Sequence, residues 1–231
     1  ADYIIAHNDS MKQWLADHGC KARLGTLGIF DYLSDTRSSN TMSPTSPYHI
    51  IYAGALNPRK NSFLYHWGEH IHHYVVKLYG SGFDRSQAQG ADKFQPMDFV
   101  QSDDLIATAS GHFGLVWDGT SVDACTGDFG EYLKYNNPHK TSLYIRCCLP
   151  VVIWKEAALA PFVRDNGIGI CVSSLRELDE RLASLTPKQY QAMKDNVCRM
   201  SQLLAQGHYF QSALHQALES LGATPQTNKP L

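Results

Sequence analysis

The clearest chemical signal in the chain is a helix start at Asn137-Pro138-His139-Lys140, which is followed by an apolar run at 150–154. Asn137 suits the N-cap of a helix, and Pro138 suits its first position, where a missing N–H costs nothing. The amides of His139 and the two residues after it are therefore predicted to point outward. With the positive helix end and the Lys140 ammonium, they could hold an anion such as a phosphate. The alternative is a well-capped amphipathic helix without a ligand.

Three further polar clusters follow strand-like runs, at the sheet edge where parallel α/β proteins bind ligands. The loop from Gly54 contains Arg59, which could bind a phosphate in a bidentate manner, although a solvated basic turn is an alternative. Tyr79 precedes a Gly-Ser-Gly stretch and could stack on a nucleotide base, or be an ordinary strand-end tyrosine. Asp118 could accept hydrogen bonds from sugar hydroxyls, or belong to an Asp-Gly turn.

A histidine-rich run at His66–His73 raises the alternative of a metal site. His66 and His70 share a helix face only if the helix continues through Gly68, and no His-Glu-x-x-His pattern occurs. A surface helix end leading into a strand is the favoured interpretation. The sequence also lacks Gly-x-Gly-x-x-Gly and Gly-x-Ser-x-Gly, which argues against a dinucleotide dehydrogenase and the usual α/β-hydrolase.

Apolar runs alternate with helical patterns along most of the chain, which predicts a parallel sheet with helices on both faces. The predicted strands are 3–6, 22–29, 49–53, 74–79, 114–117, 151–154 and 168–172. The predicted helices are 10–18, 62–66, 102–109, 138–148, 156–163, 174–185 and two between 187 and 221 that are broken near Gly207. The predicted fold class is α/β, a Rossmann-like parallel sheet preceded by the tail of a second Rossmann-like domain.

A stretch rich in Ser, Thr and Pro at 36–47 predicts a linker between these two domains. Residues 1–35 are predicted to form the end of the first domain, and residues 48–205 to form the second. Residues 206–222 are predicted as a C-terminal helix that packs back, and residues 223–231 as a disordered tail.

Composition limits the classes of partner. The net charge of −2 over 231 residues argues against nucleic acid as a bulk electrostatic partner, and no stretch approaches the ~20 apolar residues of a membrane span. The six cysteines form no Cys-x-x-Cys pair, which predicts reduced packing residues in a cytoplasmic protein. The chain opens with Ala1 on a strand-like run, so we expect a fragment of a longer protein.

Several motifs occur in an order that resembles a known family. They are the loop at 54–61, Tyr79-Gly80, the run at 114–119 and the block at 136–154. The chain resembles bacterial GT-B glycosyltransferases, within the family of β-1,6-galactofuranosyltransferases and of the glucosyltransferases that extend glycans on streptococcal serine-rich adhesins. The resemblance covers nearly the whole chain, with 1–35 similar to the end of an N-terminal, acceptor-side domain.

The resemblance implies that residues 48–205 bind a nucleotide sugar, and a UDP-sugar is the expected donor. Arg59 and Lys140 would bind the diphosphate and stabilise it as a leaving group, and Tyr79 would contact the base. The predicted site comprises Gly54, Arg59, Tyr79, Asp118, Asn136, Pro138, Lys140, Thr141 and Ser142. No metal cofactor is expected, which agrees with the lack of an Asp-x-Asp motif, and no catalytic base can be assigned.

Three functions follow from these features. The first is transfer of a hexosyl unit from a nucleotide diphosphate sugar to a glycan acceptor in cell-surface polysaccharide or glycoprotein synthesis. The second is a non-catalytic module that binds a nucleotide or phosphosugar, and the third is a metal-dependent hydrolase that uses the histidine run. The expected partners are the sugar donor and the glycan acceptor, without nucleic acid, and a homo-oligomer is compatible with the sequence.

Overall fold

The computed structural model describes residues 1–223 and contains two α/β units. The first unit consists of β1 (Tyr3–Ala6), α1 (Asp9–Asp17) and β2 (Arg23–Thr26), and the two strands pair in parallel. Asn8 caps α1 by accepting a hydrogen bond from the Met11 amide at 3.0 Å. The predicted βαβ unit at the start of the chain is confirmed.

The second unit is built on a parallel six-stranded sheet. Its strands are β3 (Tyr48–Ala53), β4 (Tyr74–Tyr79), β5 (Phe94–Met97), β6 (Phe113–Val116), β7 (Val151–Trp154) and β8 (Gly169–Val172). The spatial order is β5-β4-β3-β6-β7-β8, so the strand order reverses between β3 and β6. This is the strand order of a doubly wound Rossmann sheet, and the predicted fold class is confirmed.

Helices cover this sheet and return to the first unit. They are α2 (Pro58–Asn61), α3 (Phe63–Trp67), α4 (Ser102–Thr108), α5 (Gly127–Glu131), α6 (His139–Arg146), α7 (Ala160–Asp165), α8 (Leu178–Ala183), α9 (Pro187–Ala205) and α10 (His208–Ser220). Short 3-10 turns occur at Gly68–His70, Arg85–Gln87, Ala91–Lys93, Tyr132–Lys134 and Leu175–Glu177. Among the described residues no helix is both long and apolar enough to cross a bilayer.

Some predicted boundaries are wrong for local reasons. The helix predicted at 156–163 begins only at Ala160, because Pro161 is tolerated in the first turn of a helix and not in its interior. Strand β5 was not predicted, since it is short, contains Pro96 and buries only Phe94. A proline is compatible with an edge strand such as this one.

The segment at 36–47 has no regular secondary structure, but side chains attach it to the second unit. The Ser38 hydroxyl donates to the Cys147 carbonyl at 2.8 Å, and the Asn40 amide group donates to the Gly111 carbonyl at 3.0 Å. The buried Arg146 guanidinium donates to the carbonyls of Ser34 and Thr36, at 2.7 Å each. These hydrogen bonds attach the segment to the surface of the second unit.

The C-terminal helix α10 packs against β1 and β2 of the first unit. The Asp31 carboxylate accepts hydrogen bonds from the amides of Tyr209 and Phe210, at 3.1 and 2.6 Å, and so caps the start of this helix. Ala223 closes the described chain with a hydrogen bond from its amide to the Leu218 carbonyl at 2.9 Å. The rest of the tail predicted to be disordered, residues 224–231, lies outside the described residues.

Candidate functional site

The candidate site lies where the strand order reverses, at the carboxyl ends of β3 and β6. In open α/β sheets this reversal opens a crevice between neighbouring loops, and ligands bind there. Gly54 follows β3, and Asp118 lies two residues after the end of β6. Helix α6 runs back from the same edge toward β7, so its first turn, with Lys140, faces the crevice.

Lys140 is held in this crevice by Tyr52 of β3 and by Asp118, which follows β6. Its ammonium lies 2.8 Å from Asp118 Oδ1 and 3.3 Å from the Tyr52 hydroxyl, and 4.6 Å from the centre of the Tyr52 ring. The side chains of Lys140 and Asp118 are only 16% and 11% exposed. The ion pair is therefore partly shielded from water, which strengthens it relative to a surface pair.

Tyr52 was missed by sequence reasoning. It is fully buried, and its hydroxyl donates to Asp118 Oδ1 at 3.1 Å. Burial, followed by the nearby Asp118 charge, raises the pKa of Tyr52 well above its ordinary value, so the hydroxyl keeps its proton. The available signal was a tyrosine that follows two isoleucines near the carboxyl end of a central strand.

Helix α6 approaches the sheet closely and aligns Lys140. The Ala53 amide donates to the Tyr144 hydroxyl at 2.8 Å, which joins the end of β3 to the middle of α6. A side chain at Gly114 would collide with the Tyr144 ring, so the glycine in β6 permits this contact. The first turn of α6 is thus fixed relative to both strands.

A cavity of about 360 Å³ opens beside the carboxyl ends of β3 and β4. Its lining residues are Ala53, Gly54, Ala55, Tyr79, Gly80, Ser81, Phe99, Val100, Ser102, Leu105 and Leu143. The Gly54 amide donates to the Tyr79 carbonyl at 3.0 Å, and the Tyr79 side chain, 8% exposed, lies in the wall. Gly80 has a φ of 150°, and a Cβ there would collide with the Gly54 carbonyl oxygen. The predicted residues Gly54 and Tyr79 are therefore neighbours in one cavity.

The predicted N-cap of α6 is wrong. Pro138 occupies the N-cap position, and Asn137, which is 2% exposed, binds the first unit instead. Its carboxamide accepts from Asn8 Nδ2 at 2.7 Å and donates to the carbonyls of His7 and Gly28, at 2.7 and 3.1 Å. Three long-range hydrogen bonds replace one local capping bond, and capping patterns cannot reveal such partners.

Other predicted contacts of this helix start also differ. The Thr141 amide is not free but donates to the Pro138 carbonyl at 3.0 Å. The Ser142 hydroxyl donates to the Phe30 carbonyl at 2.6 Å, so it joins the two units rather than facing an anion. Within residues 1–223, the buried Thr141 hydroxyl and Asn136 Oδ1 have no hydrogen-bond partner.

Arg59 lies exposed on α2, near the Asp118 loop. Asn57 caps this helix by accepting from the Lys60 amide at 3.2 Å. Asn61, two residues after Arg59, is buried, and it accepts from the Gly119 amide at 3.4 Å. The helix that bears Arg59 therefore adjoins the residue that follows Asp118.

The histidines of the His66–His73 run do not converge. His66 lies on α3, whereas His70 Nδ1 lies 3.3 Å from an Arg176 nitrogen. The last two histidines donate their backbone amides to the Asp179 carboxylate, at 3.0 and 2.7 Å. Over the part of the chain that the structure describes, no group of three or more His, Cys, Asp or Glu side chains is arranged to hold a metal ion.

Two domain families match the sequence. Residues 50–217 match the glucosyltransferase 3-like, C-terminal domain, and residues 1–29 match the corresponding N-terminal domain. The beta-1,6-galactofuranosyltransferase WbbI of Escherichia coli (strain K12) is 36% identical over 220 residues, which are 95% of this chain and 64% of that protein. Glucosyltransferase 3 of Streptococcus gordonii is 32% identical over 114 residues, 49% of this chain and 33% of that protein. The chain thus spans less than two thirds of either relative.

A solved structure shares the fold at low sequence identity. A mutant of TarM from S. aureus, in complex with Fondaparinux, alpha-GlcNAc-glycerol and UDP, superposes with a TM-score of 0.64 at 10% identity. The match covers 94% of this chain and 43% of that one. The family matches, the relatives and the doubly wound sheet agree with one another. The chain belongs to the glucosyltransferase 3-like family of bacterial GT-B glycosyltransferases.

Proposed function

We propose that this chain binds the donor in a glycosyltransferase that moves a hexosyl unit from a nucleotide diphosphate sugar to a glycan acceptor. The product would belong to a cell-surface polysaccharide or glycoprotein, and the donor would be a UDP-sugar. The observation that supports this most strongly is the Lys140 ammonium, which Asp118 and Tyr52 hold at the reversal of strand order, on the sheet edge that also opens into the Tyr79 cavity.

The proposed donor lies across this edge of the sheet. Its diphosphate is assigned to Lys140, to the first turn of α6 and to Arg59, because all three present positive charge to an anion. Its base is assigned to the cavity beside Tyr79, which Gly54 and Gly80 also line. Asn136 and Thr141 are still predicted to make polar contacts with the donor near its phosphates or ribose.

In the proposed reaction an acceptor hydroxyl attacks the anomeric carbon as the bond from that carbon to the diphosphate oxygen breaks. Negative charge then develops on the leaving diphosphate. Lys140, Arg59 and the α6 terminus would stabilise that charge without a metal ion, because fixed cationic groups and dipoles need no reorganisation at the moment of reaction. Asp118 would orient Lys140, and the general base is not assigned.

The relatives support the class of reaction. The E. coli relative is named a galactofuranosyltransferase and the S. gordonii relative a glucosyltransferase, and the TarM mutant structure contains UDP. The two names differ in the sugar that is moved, and both sugars are hexoses. We therefore propose transfer of a hexosyl unit without specifying the sugar. We also propose a cytoplasmic location, which the six free cysteines favour.

Calorimetric titration with UDP, in the presence and absence of EDTA, tests the proposal. We expect one UDP to bind per chain with the same affinity in both buffers, and uridine to bind more weakly because it lacks the diphosphate. No detectable binding of UDP would refute the donor site, and loss of binding in EDTA would refute the metal-free assignment.

A further inference from the structure

Three aromatic residues are exposed on the short helical stretch that precedes α6. Phe129 lies on α5, Tyr132 begins the 3-10 turn at Tyr132–Lys134, and Tyr135 follows that turn. The three residues are 51%, 50% and 40% exposed. Residues three apart on a helix lie on the same face, so the rings form one stripe. We call Phe129, Tyr132 and Tyr135 the aromatic stripe.

The opposite face of this stretch is packed, which fixes the position of the aromatic stripe. A Cβ at Gly130 would collide with the backbone of Cys125 and would lie 3.0 Å from the Asp118 carbonyl oxygen. Leu133 is buried, and its carbonyl accepts from the Ala158 amide at 2.8 Å. The stretch therefore buries its aliphatic residue and leaves the aromatic rings in solvent.

The aromatic stripe extends from α2 to the first unit. At one end the Lys60 ammonium lies 5.1 Å from the centre of the Phe129 ring, and Lys60 adjoins Arg59 on α2. At the other end the Tyr135 carbonyl accepts from Asn8 Nδ2 of the first unit at 3.0 Å. The stripe therefore borders the crevice between the helix that bears Arg59 and the first unit.

The aromatic stripe and the Tyr79 cavity lie on opposite sides of Lys140. The cavity opens beside β3 and β4, and Lys140 lies at the reversal between β3 and β6. The stretch that bears the stripe borders β7 instead, because the Lys134 ammonium lies 5.5 Å from the centre of the Trp154 ring. A donor with its base in the cavity and its diphosphate at Lys140 therefore directs its sugar toward the stripe.

The exposed groups of this stretch suit a sugar ring. Besides Gly127, the exposed residues between 127 and 135 are the aromatic stripe and two acids, Asp128 and Glu131. A hexose has a face of C–H groups and a rim of hydroxyls, so its face can lie on an aromatic ring while its hydroxyls donate to carboxylates. An aliphatic protein surface would instead bury those carboxylates without hydrogen-bond donors, which is costly.

We propose that the aromatic stripe binds sugar rings of the acceptor glycan beside the donor. The proposal rests on the proposed function, which directs the donor sugar to this end of the crevice. Acceptor rings that lie on the stripe hold the attacking hydroxyl near the anomeric carbon, and the bonds that form and break are those of the proposed reaction. The stripe therefore contributes to the affinity for the acceptor and not to the affinity for UDP.

Saturation-transfer difference NMR tests the proposal, with methyl β-D-glucopyranoside as the probe and the full-length chain at saturating UDP. The C–H face is common to hexopyranosides, so the probe need not be the natural acceptor. We expect magnetisation to pass from aromatic protons of the wild type to the axial protons of the glucoside. Tyr132→Leu and Tyr135→Leu should reduce this transfer several-fold, because leucine is apolar but has no ring face. Tyr132→Phe should retain it.

Trp14 provides the control for an exposed aromatic residue elsewhere. It lies on α1 and is 44% exposed, so Trp14→Leu should leave the transfer to the glucoside unchanged. Calorimetric titration of the same proteins with UDP separates this proposal from the donor site, and Tyr132→Leu should bind UDP like the wild type. Absence of UDP binding in the wild type would refute the proposed function. UDP binding with equal transfer in the wild type and both tyrosine-to-leucine variants would refute the acceptor assignment alone.

Three further results would overturn the proposal. The first is no transfer to the glucoside in the wild type. The second is an equal reduction in Trp14→Leu and Tyr132→Leu. The third is self-association of the wild type in sedimentation velocity that Tyr132→Leu abolishes, because the aromatic stripe would then be an interface with a second copy of the chain.

Discussion

Lys140, Asp118 and Tyr52 form the smallest unit on which the proposed donor site depends. The Asp118 carboxylate accepts hydrogen bonds from both the Lys140 ammonium and the Tyr52 hydroxyl, at 2.8 and 3.1 Å. Because the tyrosine is fully buried, its hydroxyl cannot exchange this partner for water. Tyr52 thus fixes Asp118, and Asp118 fixes the cation.

Replacement of Tyr52 by Phe tests this arrangement. The variant removes a hydrogen bond to a charged group and keeps the ring, so we expect the free energy of unfolding to fall by ~1–2 kcal/mol in urea denaturation. The exposed Tyr132, changed to Phe, is the control and should leave stability within ~0.5 kcal/mol of the wild type. Equal stability of Tyr52→Phe and the wild type would show that the hydroxyl does not hold Asp118.

His112 predicts a pH dependence of stability. It is fully buried, and its Nδ1 accepts from the His49 amide at 2.9 Å while Nε2 lies 2.8 Å from the Ser43 carbonyl oxygen. Burial lowers the pKa of His112 to about 4, from 6.5 in the unfolded chain. The unfolded chain therefore binds the proton first, so stability is complete above about pH 6.5 and falls as the pH drops toward 4.

Denaturation at two pH values measures this contribution. Between about pH 7.5 and about pH 5, the His112 contribution to the free energy of unfolding should fall by about 2 kcal/mol. In His112→Asn the carboxamide oxygen can still accept from the His49 amide, but it does not titrate. The pH-induced loss should therefore be smaller in the variant than in the wild type by about that amount. An identical loss in both proteins would contradict the low pKa of His112.

At the scale of elements, the start of α6 serves two neighbours at once. Lys140 faces the crevice, whereas Asn137 and Ser142 bind backbone carbonyls of the first unit. The same short stretch therefore orients a cation and joins the two units. A change at Asn137 should affect stability through the contact between units rather than through helix capping.

Asn137→Ser distinguishes these two roles. Serine is as good an N-cap as asparagine, so a capping role would leave stability nearly unchanged. Because serine cannot span the carbonyls of His7 and Gly28, we expect the free energy of unfolding to fall by ~1–3 kcal/mol in urea denaturation. A change below ~0.5 kcal/mol would restore the capping interpretation.

The sequence predicted the parts of the fold that depend on local pattern. Buried parallel strands are apolar on both faces, so runs such as Val151–Trp154 were identified with correct bounds. Strand β5 was not, because its ladder with β4 rather than its own composition makes it a strand. The role of Tyr52 and the partners of Asn137 were not predicted either. Their contacts join residues more than 60 positions apart, and local patterns do not show such contacts.

At the scale of the whole molecule, the two units meet beside the proposed donor site. Asn8, the N-cap of α1, donates to Asn137 at 2.7 Å and to the Tyr135 carbonyl at 3.0 Å. Helix α10 returns from the second unit and packs on β1 and β2. The first unit therefore borders the start of α6, where an acceptor must approach if the donor lies as proposed.

The proposed role of Lys140 has a matched control within the chain. Lys188 is an exposed cation on α9, at the opposite edge of the sheet. The neighbouring Pro187 lines a cavity with Tyr48 and His73, which lie at the amino ends of β3 and β4. Lys188→Ala removes the same charge as Lys140→Ala, far from the crevice.

Calorimetric titration of UDP into Lys140→Ala, Lys188→Ala and the wild type tests the donor site most directly. We expect Lys140→Ala to weaken binding by ~1.5–3 kcal/mol, the value of a lost charge-assisted hydrogen bond, or roughly 10- to 150-fold in Kd. Lys188→Ala should bind UDP like the wild type. Unchanged affinity in a folded Lys140→Ala, or an equal loss in both variants, would contradict the assignment of the diphosphate to Lys140.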